Sequence, residues 1–138
     1  MTLNNHHTTC IYDASNNFTT LVKERGYRYE EHDIITSDNY ILKLFRILPK
    51  KFFEKPKRKV VFLLHGLMDS SDAWVINTDD RSVAYRFLNM GYDVWLGNTR
   101  GNKYSSRHLF KQPTIKDFWD FSFQEMGMYD IPAMVKFV

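Results

Sequence analysis

Val60-Val61-Phe62-Leu63-Leu64-His65-Gly66-Leu67 is an unbroken apolar run that stops on a histidine and a glycine. Five consecutive apolar residues have the length of a strand, and a strand that is apolar at every position has no solvent face. Such a strand belongs inside a parallel sheet, where helices cover both sides. The residues downstream fit that reading. A small polar loop carries Asp69, Ser70, Ser71 and Asp72, and residues 81–90 then read as a helix ended by Gly91. Its apolar positions Val83, Ala84, Phe87 and Leu88 share one face. Residues 92–96 are the next strand. Strand, loop, helix and strand over residues 60–96 make a βαβ crossover, expected to be right-handed.

Upstream, residues 27–36 and 40–48 have strand propensity with partial alternation, and Ser37-Asp38-Asn39 between them is a turn cluster. They predict an antiparallel hairpin. Residues 18–25 read as a short helix, capped by Asn17 or Thr19 and ended by Gly26. Residues 49–59 form a charged connection. Its basic run, Lys55-Pro56-Lys57-Arg58-Lys59, reads as a solvated loop leading into the apolar strand. Residues 1–16 have no period and are expected to be a disordered tail. Downstream, residues 97–113 are a long polar loop and Phe118, Trp119, Phe121 and Phe123 form an aromatic block, expected to pack on the sheet. Asp130-Ile131-Pro132 reads as a helix start, with Asp130 at the cap. The apolar pattern of that helix is still running at Val138, so the chain is expected to hold a truncated domain, residues 17–138.

The chain has 138 residues, with 43% hydrophobic and 25% charged residues and a formal net charge of +3. That is an ordinary globular composition, and the charge is too small to argue for nucleic acid. The single cysteine, Cys10, excludes an internal disulfide. His6-His7 has no partner ligands at metal-binding spacing, so no metal site is expected. No run reaches the ~18 apolar residues of a membrane span. Residues 1–9 lack the apolar core of a secretory signal, so none is expected. Asn17-Phe18-Thr19 fits the N-glycosylation pattern, which matters only for a chain that enters the secretory pathway.

An apolar strand ending in His65-Gly66-Leu67 is where an α/β-hydrolase places one donor of its oxyanion hole. Acyl transfer builds negative charge on the carbonyl oxygen, and a backbone N–H fixed after this strand can stabilise it. By position Leu67 would donate that N–H. The His65 side chain is expected to brace the loop, and Gly66 to allow a backbone geometry that a Cβ would block.

The longer blocks around this tripeptide carry a resemblance. They are Gly26-Tyr27, Thr36-Ser37-Asp38-Asn39-Tyr40-Ile41-Leu42, Arg46-Ile47 and His65-Gly66-Leu67-Met68-Asp69-Ser70-Ser71-Asp72-Ala73-Trp74. They continue with Gly91-Tyr92-Asp93-Val94-Trp95-Leu96-Gly97-Asn98-Thr99-Arg100-Gly101-Asn102, Phe118-Trp119-Asp120-Phe121-Ser122, Glu125-Met126 and Tyr129-Asp130-Ile131-Pro132-Ala133. In this order they resemble the acid-lipase family of α/β-hydrolases, over residues 18–138. The resemblance implies hydrolysis of neutral lipid esters, triacylglycerols or cholesteryl esters, by a Ser-Asp-His triad without a cofactor. It also implies a lysosomal or secreted setting, although the tail lacks the usual secretion signal. Its catalytic serine, acid and base would all lie beyond Val138, so no catalytic residue is expected within the chain.

Gly97-Asn98-Thr99-Arg100-Gly101 imitates the G-x-S-x-G nucleophile elbow. The elbow requires a serine between a strand and a helix, whereas Thr99 is followed by a long polar loop. Arg100 and Asn102 are expected to fix the loops. Ser70, Ser71, Ser105 and Ser106 read as loop serines, His32 and His108 as non-catalytic, and Asp93 as a structural partner within a strand. The family's strand order, 1-2-4-3-5, would leave the 60–64 strand on an open edge, where it can associate with another chain. Three readings stay open: the N-terminal portion of a lipid-ester hydrolase, a non-catalytic lipid-binding or interaction protein, and a hydrolase completed by a second chain.

Overall fold

The computed structural model describes residues 17–50 and 58–138. The expected 1–16 tail, with Cys10 and His6-His7, lies outside the described residues, as does most of the basic run at 55–59.

Helix α1 spans Phe18–Glu24, and Asn17 caps it through its side-chain oxygen, which accepts the Thr20 N–H. Strands β1 (Arg28–Ile35) and β2 (Tyr40–Leu48) form the hairpin. Asn39 takes the left-handed conformation in its turn, with φ of 72°. Strand β3 covers Val60–Leu64, helix α2 Val83–Asn89 and strand β4 Asp93–Gly97. The sheet order is β1-β2-β4-β3, antiparallel except for the parallel β3–β4 pair. A two-residue strand β5, Arg107–His108, adds to β2 at Tyr40 and Ile41. It lies inside what the sequence presents as loop, because two residues leave no period to detect.

Both faces of the sheet are covered. On one, Phe18 and Val22 of α1 and Ala84, Tyr85 and Leu88 of α2 pack against Phe45, Ile47, Leu63, Val94 and Leu96. On the other, Met134 and Phe118 pack against Ile34, Leu42, Leu44 and Trp95. The inward stripe of α2 differs from the expected one: Tyr85 is buried and Val83 exposed. Residues 84, 85 and 88 share a helical face, and position 83 falls on its rim.

The C-terminal helix also begins differently. A short helix α3, Phe123–Glu125, starts at a capping box made by Ser122 and Glu125. It runs through a wide π turn, Met126–Asp130, into helix α4, Ile131–Phe137. Pro132 lacks an N–H and its ring would meet the carbonyl one turn earlier, so a widened turn just before it relieves the clash. Asp130 is therefore inside helical backbone and its side chain caps nothing. It reaches Arg100 instead. Helix α4 sits so close to the sheet that a Cβ on Gly97 would lie 2.7 Å from Phe62, 3.0 Å from Met134 and 3.1 Å from Leu64.

Arg100, 2% exposed, joins three segments. Its Nη1 and Nη2 donate to the two Asp38 carboxylate oxygens in the hairpin turn, at 2.5 and 2.9 Å. Its Nε and Nη2 donate to Asp130 Oδ1 at 2.9 and 2.7 Å, and its backbone N–H to Asp130 Oδ2 at 2.8 Å. The guanidinium also lies over the Tyr40 ring, 4.0 Å from its centroid. Burial opposes the charge on each of these groups. For Arg100 and Asp38 the ion pairs win, holding the guanidinium above and the Asp38 carboxyl below their ordinary values. Burial raises the wholly buried Asp130 carboxyl against the pull of Arg100. Removing one partner of a buried cluster strands the others, at a cost of about 3–5 kcal/mol. Arg100→Leu is expected to lower the unfolding free energy by that amount in urea denaturation. A loss of about 1 kcal/mol or less, the range of exposed ion pairs, would show that the cluster does not hold these segments together.

Candidate active site

Strands β3 and β4 run parallel, and their last residues, Leu64 and Gly97, are register partners. Two loops therefore leave the sheet side by side. In open α/β sheets, ligands bind at this carboxyl end of the strands. Here the loops flank a cleft of about 910 Å3. Residues 64–70 and 99–103 line it. Trp119, Phe121, Phe123 and Met126 supply an apolar wall.

That wall corrects the expectation for the aromatic block. Phe118 is fully buried against the sheet, but Trp119 is 48% and Phe123 81% exposed. Gly101 lets the wall approach: its φ is +82°, and a Cβ there would lie 2.7 Å from Phe121 and 3.0 Å from Trp119.

After β3 the chain makes a tight turn in which the Asp69 N–H donates to the Gly66 carbonyl at 3.2 Å. Met68, φ +59°, carries the left-handed conformation of this turn. A non-glycine residue held there is strained by its Cβ. The freedom expected of Gly66 is not used: its φ is not positive and a Cβ would meet nothing within 4 Å. Leu67 and Met68 are 77% and 98% exposed at the cleft. Among the described residues, the Leu67 N–H has no hydrogen-bond acceptor.

His65 links the two loops. Its Nε2 accepts the Thr99 N–H at 3.1 Å and lies 3.1 Å from the Asn102 amide nitrogen. Its Nδ1 lies 2.7 Å from the Gly66 carbonyl oxygen. Behind it, Asn98 is fully buried. The Asn98 Oδ1 accepts the Ser71 N–H at 3.0 Å and an Asn102 amide proton at 2.9 Å. Its Nδ2 donates to the Lys43 carbonyl at 3.2 Å. The Ser105 hydroxyl accepts the Lys43 N–H at 2.9 Å and donates to the Asn98 carbonyl at 2.9 Å. Lys43 thus sits where β4 has ended and β5 has not begun, and two side chains replace its missing ladder bonds.

The remaining chemistry-bearing residues are satisfied locally. Ser71 is buried beside Asn98, with the Asn98 Nδ2 donating to its hydroxyl at 3.2 Å. Ser106 donates to the Asn102 carbonyl at 2.5 Å. The Ser70 hydroxyl faces the Asp72 N–H at 3.4 Å. Thr99 is 7% exposed, its hydroxyl 3.4 Å from His65 Nε2, and a loop rather than a helix follows it. His32 packs between Trp95 and Phe137, with ring centroids at 5.3 and 5.1 Å. The His108 Nδ1 accepts the N–H groups of Phe110 and Lys111. Asp93 accepts two bonds from Arg46, both at 2.8 Å. Asp72 pairs with Lys103 and accepts the Tyr104 hydroxyl at 2.6 Å, and burial together with that bond raises the phenol's pKa. No group of three or more potential metal ligands occurs among the described residues, and no helix there is long and apolar enough to cross a membrane.

Sequence reasoning gave Asn98 no role, although it lies in the Gly97–Asn102 block immediately after an apolar strand. It also missed the left-handed Met68, because no rule places a methionine in that conformation.

Comparison with known proteins gives concordant matches. A family model described as a partial alpha/beta-hydrolase lipase region matches residues 18–78, and one described as the alpha/beta hydrolase fold matches residues 59–138. The chain is 49% identical over 115 residues to a probable lipase of Schizosaccharomyces pombe, covering 82% of this chain and 26% of that protein. It is 44% identical over 128 residues to a putative lysosomal acid lipase/cholesteryl ester hydrolase of Crotalus adamanteus, covering 91% of this chain and 32% of that protein. Gastric triacylglycerol lipase of Rattus norvegicus is 40% identical over 128 residues, with the same two coverages. The chain thus spans between a quarter and a third of the length of these relatives.

Proposed function

Since this chain belongs to the acid-lipase family of α/β-hydrolases, we propose that it forms the N-terminal part of an enzyme hydrolysing carboxylic esters of neutral lipids with a serine nucleophile. The substrate class, triacylglycerols or cholesteryl esters, follows the names of the relatives. The apolar wall of Trp119, Phe121, Phe123 and Met126 fits such a ligand.

One observation carries the reading: an acceptor-free Leu67 N–H on a strained turn, at the carboxyl end of a parallel strand, beside an apolar cleft. When the nucleophile attacks an ester, the carbonyl oxygen gains negative charge. A donor already held in place stabilises that charge without reorganising. In this proposal Leu67 supplies one such donor. His65 braces the turn, and Gly66 leaves open space beside the donor, where a Cβ would meet nothing within 4 Å. The chemistry requires neither metal nor cofactor.

In this proposal the triad lies outside residues 1–138. What supports it is that the Ser71 hydroxyl accepts from the Asn98 side chain, Ser105 and Ser106 hold loop backbone and Ser70 faces it, while His32 and His108 are engaged away from any serine. The 138-residue chain is therefore expected to show no hydrolysis of a short-chain p-nitrophenyl ester above background. Activity that survives purification and disappears in Thr99→Ala would instead make Thr99 a nucleophile.

In the full-length enzyme, Leu67→Pro removes the donor itself. It is expected to lower kcat by about 10²–10³, with binding of a neutral substrate analogue unchanged and the fold verified by circular dichroism and thermal unfolding. A folded variant with unaltered kcat excludes the role.

A second reading, a non-catalytic interaction role, draws on the sheet edge. Strand β3 is the outermost strand on its side among the described residues, and Val60 is 47% exposed. An apolar strand edge is a template for pairing with another chain. Multi-angle light scattering of the 138-residue chain is expected to show association rising with concentration, weakened by Val60→Lys. A monomer throughout would remove this reading.

A further inference from the structure

The direction of the Leu67 N–H traces back, bond by bond, to groups that have no choice of role. A backbone N–H can only donate. The N–H groups of Tyr104 and Ser105 both donate to Asn102 Oδ1, at 2.9 and 3.0 Å. They fix which end of the Asn102 carboxamide is oxygen. Its nitrogen must then face His65 Nε2 at 3.1 Å and Asn98 Oδ1 at 2.9 Å.

Nε2 also receives the Thr99 N–H at 3.1 Å. Two donors converge on this nitrogen, so it carries the lone pair. A neutral imidazole then has its proton on the other nitrogen. Nδ1–H therefore donates to the Gly66 carbonyl, 2.7 Å away, which also accepts the Asp69 N–H at 3.2 Å.

The Gly66 carbonyl and the Leu67 N–H belong to one peptide unit. Among the described residues no peptide bond is cis. In a planar trans unit the C=O and N–H point in opposite directions. Pinning the carbonyl thus aims the N–H.

We propose that Asn102, acting through an Nδ1-protonated His65, is the positioning residue that aims the Leu67 N–H. This rests on the reading of Leu67 as an oxyanion donor. It predicts that a carboxylate at this position works against the Nδ1 proton, whereas the amide supports it. An aspartate at position 102 is nearly isosteric but presents an oxygen to Nε2. The carboxylate draws a proton onto Nε2, and a ring that stays neutral gives up the one on Nδ1. The Gly66 carbonyl would face a lone pair and turn away. Alanine at 102 removes one donor but leaves the Thr99 N–H at Nε2, so the tautomer survives.

The test uses the full-length enzyme with 15N-labelled histidine, read by long-range proton–nitrogen correlation, together with steady-state kinetics. In the wild type, His65 is expected to be protonated on Nδ1 and bare on Nε2. Asn102→Asp is expected to move the proton to Nε2 and lower kcat by about tenfold or more at nearly constant KM. Asn102→Ala is expected to keep the tautomer and lose less. A wild-type ring protonated on Nε2 overturns the proposal, even if Asn102→Asp does not fold. So does an Asn102→Asp enzyme whose ring keeps its Nδ1 proton, singly or doubly protonated, or one with unchanged kcat while Leu67→Pro is slow. If the tautomer switches but Asn102→Asp and Leu67→Pro both keep wild-type kcat, the Leu67 reading falls, and the catalytic part of this proposal with it.

Discussion

The buried guanidinium of Arg100 is the constraint on which the arrangement of the cleft depends. It meets carboxylates from both sides, Asp38 in the β1–β2 turn and Asp130 at the start of α4, with the Tyr40 ring beneath. Three segments thus meet at one buried charge. Bound to one charge, they must keep one mutual geometry, because any displacement exposes a buried ion to an apolar interior. The backbone around Arg100 is the same loop that carries Thr99, Gly101 and Asn102. Order imposed for electrostatic reasons at the bottom of the loop is thereby delivered to the groups that touch His65 at the top.

The sheet was largely legible in the sequence. The apolar run 60–64 announced a parallel strand, and β3 pairs in parallel with β4, but as the outermost described strand it is only half covered: Leu63 is buried, Val61, Phe62 and Leu64 are half-buried, and Val60 is exposed. The hairpin was readable from alternation and from Asn39 at its turn. The elements that escaped were those whose cause is not local. Asp130 followed by Pro132 has the form of a helix start, yet a distant arginine claims the aspartate and the helix begins earlier, at a Ser122–Glu125 capping box. The aromatic block reads as core, yet Phe118 alone is fully buried and Phe121 packs half-buried beside it, while Trp119 and Phe123 are exposed, because the segment crosses from the sheet to the rim of the cleft. Gly66 attracted the expectation of special geometry that Met68 fulfils.

The polar loops are built by substitution rather than addition. At Lys43 the sheet has a gap, and the side chains of Asn98 and Ser105 complete the backbone ladder there. The same two residues link onward to Asn102 and to the loop after β3. A buried backbone group left unpaired is costly, and a buried polar network is stable only when each member is satisfied. Here the sheet's own deficit is what orders the loops above it. Such a network leaves little trace in sequence: asparagines and serines in a loop are common, and their partners lie dozens of positions away.

The close seating of α4 on the sheet has a consequence for how this sequence can change over time. At Gly97 the room for one methyl group is already occupied by Phe62, Leu64 and Met134, which come from two other segments. A larger residue at 97 is acceptable only after some of these three have become smaller, and each reduction made first opens a void. Neither order of events is neutral in a close-packed interior. The four positions are therefore bound to drift together or not at all, and the effect of a substitution at any one of them depends on the residues then present at the others.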